Sequence, residues 1–365
     1  MVDEKLVIPW HNGAMVFDEK DNPWDLSTER SAVESDLKMK EQPVSPLNQS
    51  SVTQPLPTDD NFNGLLPSQR DVFDNLLAIG MARPVAPVNA VDKIKEALLE
   101  SAGAGLQLWT ETTFRVGKAQ IAQVLRCGGS ALAAKKAGYN TTGAIPLPVA
   151  AGLVTHKAVQ MSWTHPNCEV AQYVKAAILS CCEEERFGKF WAEASLGTQS
   201  DIIATATVRT TSFLDSWPPL LSAWSPRFEE PMSARVGSLV LSSRPDFIMG
   251  RPRAGGRRTI LLCDFKSGDL KEEHLFEARF YAVVTTLRWG VLPWRSTVFS
   301  LASGQYTDPD FELDTLLQTA TQIGQAVSDL AAIYTENTEP TYTPGVYCKW
   351  CSAIESCQIG SEFLN

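Results

Sequence analysis

The chain has 365 residues, of which 44% are hydrophobic and 20% charged, a composition typical of one large or two modest globular domains. No run of about 18 uninterrupted apolar residues occurs, so we expect no transmembrane helix. The first ten residues include Asp3 and Glu4 and lack an apolar stretch, which argues against a secretory signal and favours a cytoplasmic location.

The formal net charge of −10 is unevenly distributed along the chain. Residues 1–105 carry 9 lysines and arginines against 17 aspartates and glutamates, whereas residues 106–365 carry 23 against 25. Phosphate contact depends on local charge, so a nearly neutral region can still hold a basic groove. The overall acidity therefore does not exclude nucleic-acid binding.

The first hundred residues divide into two parts. Residues 1–70 are acidic and rich in Pro, Ser, Asn and Gln, and we predict a flexible segment because they lack apolar periodicity. Residues 71–105 are predicted to form a helical lead-in, whose second helix covers 88–103 and ends at Gly103.

From about Leu106 the sequence mixes helical and strand-like periodicity. Helices are predicted over 116–138 with an interruption near Gly128–Gly129, and over 149–163, 169–195, 270–290 and 311–336. Strands are predicted over 233–243, 245–250, 259–265 and 296–303. This pattern favours an α/β fold, with a central mixed sheet of about four or five strands flanked by helices.

The sharpest local motif is Asp246 followed by Asp264 and Lys266, on two predicted strands joined by a hairpin. Two carboxylates at adjacent strand ends suit a hard divalent ion such as Mg²⁺ or Mn²⁺. Lys266 lies two residues after Asp264 and so on the same strand face, where it could orient water or stabilise charge on a phosphate. A lone Asp-x-Lys is common, however, and usually marks a solvated strand end.

Other candidate residues lie on predicted helices upstream and downstream of this motif. His156 is a candidate imidazole ligand for the same ion, although a core histidine with satisfied hydrogen bonds is the more frequent case. Glu277 and Tyr281 are spaced i and i+4 on one helix face, which an ordinary amphipathic helix would also produce. Their order along the chain is more informative than any one of them.

In this order the residues resemble the RecB-like PD-(D/E)XK nuclease family, which includes the CRISPR-associated iron–sulfur exonucleases and the nuclease domains of recombination helicase–nucleases. The family pattern is Gly-x-x-x-His on a helix, an Asp ending a strand, Asp/Glu-x-Lys on the next strand, and Gln-x-x-x-Tyr on a helix. It corresponds here to Gly152…His156, Asp246, Asp264-Phe265-Lys266 and Glu277…Tyr281. The resemblance covers residues 106–365 and implies a restriction-endonuclease-like core.

The resemblance implies a metal-dependent DNA nuclease, an exonuclease acting on single-stranded DNA or DNA ends in repair, recombination or CRISPR spacer processing. The resemblance assigns Mg²⁺ or Mn²⁺ to His156, Asp246, Asp264 and the backbone carbonyl of Phe265, with Lys266 assisting the attacking water. Glu277 and Tyr281 would position Lys266 or the phosphate. The chain departs from the family at Glu277, where Gln is usual, and a carboxylate there could repel phosphate or add a metal ligand.

The eight cysteines include a Cys348-x2-Cys351-x5-Cys357 cluster in a polar tail, where three buried apolar side chains are not expected. Metal sites favour four ligands, and Cys127 is the best candidate for the fourth. The resemblance implies that these residues hold a [4Fe–4S] cluster in a helical subdomain that joins the two ends of residues 106–365. A zinc site remains the alternative.

Four arginines, Arg251, Arg253, Arg257 and Arg258, lie in the loop between the two motif strands and could grip the DNA backbone, or could form a solvated hairpin tip. No phosphate-binding P-loop motif occurs, so a helicase partner would be a separate chain. A CRISPR-adaptation protein is the other expected partner. The rival functions are a catalytically silent DNA-binding or scaffold subunit and a ribonuclease.

Overall fold

The computed structural model describes residues 62, 64–138, 145–166, 168–253 and 255–365. The predicted flexibility of the acidic segment therefore falls mostly on residues outside the described part. The α-helices of the described residues follow in chain order: α1 (Pro67–Asp71), α2 (Ala90–Leu108), α3 (Lys118–Arg126), α4 (Gly128–Lys136), α5 (Leu147–Thr164), α6 (Val170–Cys181), α7 (Glu185–Glu193), α8 (Leu196–Ser216), α9 (Glu273–Trp289), α10 (Leu313–Tyr334) and α11 (Gln358–Leu364). None of them is both long enough and apolar enough to span a membrane.

Short non-α turns complete the helical segments: a π-helix at Val72–Leu77 and 3₁₀ turns at Ser222–Trp224 and Val346–Trp350. The strands follow in chain order: β1 (Phe114–Gly117), β2 (Arg227–Phe228), β3 (Met232–Val236), β4 (Leu239–Ser243), β5 (Phe247–Met249), β6 (Leu261–Lys266) and β7 (Arg295–Ser300).

The strands form two mixed sheets rather than the single sheet predicted. The first has the order β1-β4-β3, with β1 parallel and β3 antiparallel to β4. The second has the order β2-β5-β6-β7, with β6 and β7 parallel and the other pairs antiparallel. The chain crosses from the first sheet to the second at residues 244–246, immediately after β4.

Three local predictions were wrong in detail. The strand predicted over 233–243 is the hairpin β3–β4, which turns at Gly237 with a φ of +62° that favours glycine. The helix predicted over 169–195 is divided between α6 and α7, and the threonine-rich α8 that follows was not predicted. Helix α2 continues through Gly103 to Leu108 instead of ending at that glycine.

The continuation of α2 is explained by its packing on α10. A Cβ added to Gly105 would lie 2.3 Å from Ser328 Cα, and one added to Gly324 would lie 2.5 Å from the carbonyl oxygen of Leu98. The two helices therefore approach each other backbone to backbone at two glycines. Their apolar faces share one hydrophobic core with α9 and the first sheet.

The segment before α2 belongs to a second core beneath the second sheet. Phe62, Phe73, Leu76 and Leu77 pack there with aromatic residues from α8 and strands β5 to β7. The buried Arg295 of β7 donates from Nη1 to the carbonyl oxygens of Asn75 and, at 2.8 Å, Leu76. Residues 62–77 are thus fastened to the strand beside β6.

Candidate active site

The two motif aspartates lie together at one end of the β5–β6 hairpin, as the sequence predicts. Asp246 immediately precedes β5, and Phe247 pairs with Cys263, the residue before Asp264. The backbone N–H of Phe265 donates to Asp246 Oδ2 at 2.5 Å, which fixes the Asp246 carboxylate against β6. The Phe265 ring points the other way, into the aromatic core with Phe213 and Trp217.

Asp264 is 3% exposed and is surrounded by donors. Tyr281 donates its hydroxyl to Asp264 Oδ1 at 2.8 Å, and Lys266 Nζ lies 2.6 Å from Oδ2. Lys266 and Asp264 therefore form an ion pair whose geometry is not that of a hydrogen bond. Among the described residues, no group donates a hydrogen bond to Asp264 Oδ2. Burial alone would raise the pKa of Asp264, but the ammonium groups of Lys118 and Lys266 hold it well below its usual range. Asp264 is therefore a fixed negative charge.

Glu277 links the predicted Lys266 to a second lysine. Its Oε2 lies 2.7 Å from Lys266 Nζ and 2.8 Å from Lys118 Nζ. Burial alone would raise the pKa of Glu277, but the two lysines lower it; the pKa of each lysine is raised in turn by Asp264 and Glu277, against the effect of burial. The Glu277 charge is thus balanced by lysines within the protein.

His156 reaches the site from α5 because that helix lies close to the end of β6. A Cβ added to Gly152, one turn earlier, would lie 3.2 Å from Ser267 Oγ, so α5 approaches the residue after β6 closely at this glycine. His156 Nδ1 lies 3.6 Å from Asp246 Oδ1. Burial alone would lower the pKa of His156, but the Asp246 carboxylate raises it above its ordinary value.

The raised pKa of His156 predicts how the stability of the chelator-treated protein depends on pH. Because His156 binds its proton more tightly in the folded chain, protonation stabilises the fold at a pH below the pKa of His156 in the unfolded chain. This contribution disappears as pH rises through the pKa of His156 in the folded chain. Urea unfolding of the wild type and His156→Gln should therefore show the wild type losing stability relative to the variant between about pH 5.5 and about pH 8.5. A constant or widening wild-type advantage over that range would contradict it.

Sequence reasoning missed two site residues. Lys118 follows β1, and its position depends on pairing between β1 and β4, more than a hundred residues later. Glu229 lies in a small cavity with His156 and Asp246, and its backbone N–H donates to the Asp246 carbonyl oxygen at 3.1 Å. Burial, and then the Asp246 carboxylate, raise the pKa of Glu229. Only the strand-like residues 114–117 before Lys118 gave a local signal; the sequence around Glu229 gave none.

The chemistry of these donors fits a hard divalent cation, although the side chains are not drawn together around one point. Among the described residues, no group of three or more His, Cys, Asp or Glu side chains is arranged to hold a metal ion. Asp246 and Asp264 offer carboxylate oxygens, and His156 offers an imidazole. Lys266 Nζ lies 2.6 Å from Asp264 Oδ2, so in this structure an ammonium already balances the charge on that oxygen.

The arginine loop lies away from this site. In the β5–β6 hairpin Met249 pairs with Leu261, so the loop joins the strand ends opposite Asp246 and Asp264. Asp264 is three residue steps along β6 from Leu261, a distance of about 10 Å before the loop itself begins. The expectation that this loop grips DNA next to the cut is therefore not supported by the hairpin register.

The four arginines also differ in their surroundings. Arg258 is partly buried, and its guanidinium donates to the carbonyl oxygens of Pro293, Trp294 and Phe311 at 2.8, 3.2 and 3.3 Å. It ties the loop to the second sheet. The remaining three are exposed: Arg251, Arg253 and Arg257. A role in DNA binding stays a prediction for those three alone.

The C-terminal tail packs beside Cys127. The N–H of Gly129 donates to the Thr341 carbonyl oxygen at 3.2 Å, and the Tyr347 hydroxyl donates to the Arg126 carbonyl oxygen at the same distance. The structure thus brings the tail to the junction of α3 and α4, where Cys127 ends one helix and precedes the next.

Within the tail, Cys348 and Cys357 face one glycine. A Cβ added to Gly360 would lie 3.4 Å from both sulfurs, and the N–H groups of Gly345 and Gly360 donate to Cys348 Sγ and Cys357 Sγ at 3.4 Å. N–H···S contacts of this kind are also made to the sulfurs of iron–sulfur clusters in proteins. Cys351 lies half-buried between them in the chain. No disulfide joins these cysteines, which are all free.

Residues 118–358 match the model of the PD-(D/E)XK nuclease superfamily, and the chain belongs to that superfamily. The match begins at Lys118 and includes His156, Asp246, Asp264 and Lys266. No curated protein matches the chain. Members of the superfamily are typically metal-dependent nucleases, and the two mixed sheets flanked by helices agree with such a core.

Proposed function

We propose that this chain is a Mg²⁺- or Mn²⁺-dependent deoxyribonuclease. The observation that carries the proposal is the convergence of Asp246, Asp264 and Lys266 on one end of the β5–β6 hairpin, with His156 beside Asp246. These residue types, in a chain of this superfamily, suit hydrolysis of a phosphodiester. A catalytically silent subunit would have no need to keep both aspartates and the lysine together.

His156, Asp246 and Asp264, with the Phe265 carbonyl, would hold the metal ion, which supplies Lewis-acid charge to the scissile phosphate. Asp246 is held in place by the Phe265 N–H, and Asp264 by the Tyr281 hydroxyl. Because Lys266 already sits between Asp264 and Glu277, a small rotation lets its ammonium orient a water or face the phosphate.

The proposal extends to substrate and pathway. The order Gly152…His156, Asp246, Asp264–Lys266 and Glu277…Tyr281 supports an exonuclease acting on single-stranded DNA or DNA ends. Its setting would be DNA repair, recombination or CRISPR spacer processing in the cytoplasm. A helicase or a CRISPR-adaptation protein would be its partner.

The test is cleavage of labelled nucleic acids by anaerobically purified protein with Mg²⁺ or Mn²⁺. Substrates are linear single- and double-stranded DNA, circular single-stranded DNA and RNA, and the variants are Lys266→Ala and the exposed Lys271→Ala. We expect degradation of linear DNA that stops with chelator or Lys266→Ala, continues in Lys271→Ala and spares circles. Intact DNA throughout, from folded protein, would refute the proposal, and cutting of RNA alone would identify a ribonuclease.

We further propose that Cys127, Cys348, Cys351 and Cys357 hold a [4Fe–4S] cluster that fastens the tail to the α3–α4 junction. Support comes from the docking of the tail beside Cys127 and from the approach of the Cys348 and Cys357 sulfurs to the same residue, Gly360. Iron and acid-labile sulfide should be present in anaerobic protein and lost in Cys351→Ser, but kept in Cys168→Ser, a cysteine outside the set. Zinc in place of iron, or iron content unaffected by Cys351→Ser, would overturn the assignment.

A further inference from the structure

Lys118 is a second cation within the candidate active site, supplied by a different part of the fold from Lys266. Its Nζ lies 2.8 Å from Glu277 Oε2 and 3.5 Å from Asp264 Oδ1, and sits 4.8 Å from the centre of the Tyr281 ring. The Lys118 side chain is 23% exposed, so it is mostly buried but still partly accessible to solvent.

Backbone pairing and the start of α3 fix the position of Lys118, in addition to its side-chain contacts. Gly117 pairs with Ser242 at the carboxyl ends of the parallel strands β1 and β4, beside the crossing that leads to Asp246. Its N–H donates to Oε1 of the buried Gln120 at 2.8 Å, which fixes the start of α3. Lys118 is the first residue of that helix, directly after β1, and from there its ammonium lies 3.5 Å from Asp264 Oδ1.

Glu277 is what allows two lysines to share this space. One carboxylate oxygen lies within hydrogen-bonding distance of both ammonium groups. The carbonyl oxygen of a Gln side chain could also accept from both, but it carries no charge to offset the repulsion between the two lysines. Two cations, Lys118 and Lys266, are thus matched by two anions, Asp264 and Glu277. The presence of Lys118 therefore explains why this chain has Glu277 where the family it resembles usually has Gln.

We propose that Lys118 is a second phosphate-contacting lysine of this site, and that Glu277 is the positioning residue that holds it beside Lys266. The inference rests on the proposed nuclease function. Its ligand is a phosphodiester, whose two non-bridging oxygens can each accept from one ammonium while negative charge develops in the transition state. The alternative is a structural tie in which Lys118 only joins α3 to α9.

Single-turnover cleavage of linear single-stranded DNA tests the proposal in Lys118→Met, Lys118→Arg, Glu277→Gln and the Lys118→Met/Glu277→Gln double variant. The exposed Lys175→Met serves as the matched loss of a surface charge. We expect Lys118→Met to slow the cleavage step about 10²-fold and Lys118→Arg to restore most of the rate. The double variant should be no slower than Lys118→Met alone, because removing both charges restores neutrality.

DNA binding in chelator gives a readout independent of cutting. The slope of log affinity against log salt should fall by about one in Lys118→Met and stay unchanged in Lys175→Met. If the wild type cuts and Lys118→Met matches it in rate and salt slope, this inference alone is overturned. A wild type that cuts nothing counts against the nuclease proposal, and the salt slope then still decides whether Lys118 contacts phosphate.

Discussion

Asp264→Asn is expected to lower the rate of DNA cleavage by about 10³-fold or more while leaving the fold intact. Asn matches Asp in shape, so the Tyr281 hydroxyl can still donate to its side-chain oxygen. The substitution removes the fixed negative charge that Lys118 and Lys266 enclose, and with it a ligand for the proposed metal ion. End-labelled DNA in single-turnover assays would measure the loss.

The same variant has a predicted stability profile. Because the folded-state pKa of Asp264 is depressed, its charge stabilises the fold above its unfolded pKa of about 3.9, and that contribution is lost as pH falls through the folded pKa. Asp264→Asn should therefore be less stable than the wild type near neutral pH, by about 1–2 kcal/mol, and the two should converge in acid. Asp269→Asn, an exposed aspartate five residues later, is the control. Cleavage by Asp264→Asn at a rate close to the wild type would remove Asp264 from the catalytic site.

Gly105→Ala is expected to destabilise the protein by about 3 kcal/mol in urea unfolding. The new methyl group would lie 2.3 Å from Ser328 Cα and 2.4 Å from the Ser328 carbonyl oxygen, so α2 and α10 would have to separate. Both atoms belong to the backbone, and no side-chain rotation can relieve the contact. The loss should spread across the core that the two helices share.

Gly103→Ala, on the same helix, is the matched control because nothing lies within 4 Å of its added Cβ. There the intrinsic preference of Ala for a helix should stabilise the protein by about 0.5–1 kcal/mol. The two changes are chemically identical, two residues apart and opposite in predicted sign. Equal effects at both positions would mean that the close approach of the two helices is not maintained in solution.

The motif residues could be predicted because the members of each pair lie close together in the sequence. Asp264 and Lys266 are separated by one residue of a strand, and the i, i+4 spacing of Glu277 and Tyr281 puts both on one helix face. The structure brings these four side chains into mutual contact. His156 lies beside Asp246, with Nδ1 3.6 Å from Asp246 Oδ1.

Other features depend on contacts that the sequence does not record. Lys118 joins the site only because β1 pairs with β4, and Glu229 only because β2 pairs with β5. Gly103 predicts the end of a helix, but packing against α10 lets the helix continue past it to Leu108. The strand predicted over 233–243 was wrong because alternation continues through both arms of a tight hairpin, and only Gly237 marks the turn.

Arg295 binds the segment of residues 62–77, which lies before the region matched by the superfamily. The homologous region is therefore smaller than the part of the chain that folds together. The superfamily match begins at Lys118, yet the two carbonyl acceptors of the buried Arg295 guanidinium and part of the second core lie before it. A fragment trimmed to the matched region would leave that guanidinium without its carbonyl acceptors. It would also expose the face of α10 that α2 covers. The boundary of shared ancestry is therefore a poor guide to where this chain can be cut.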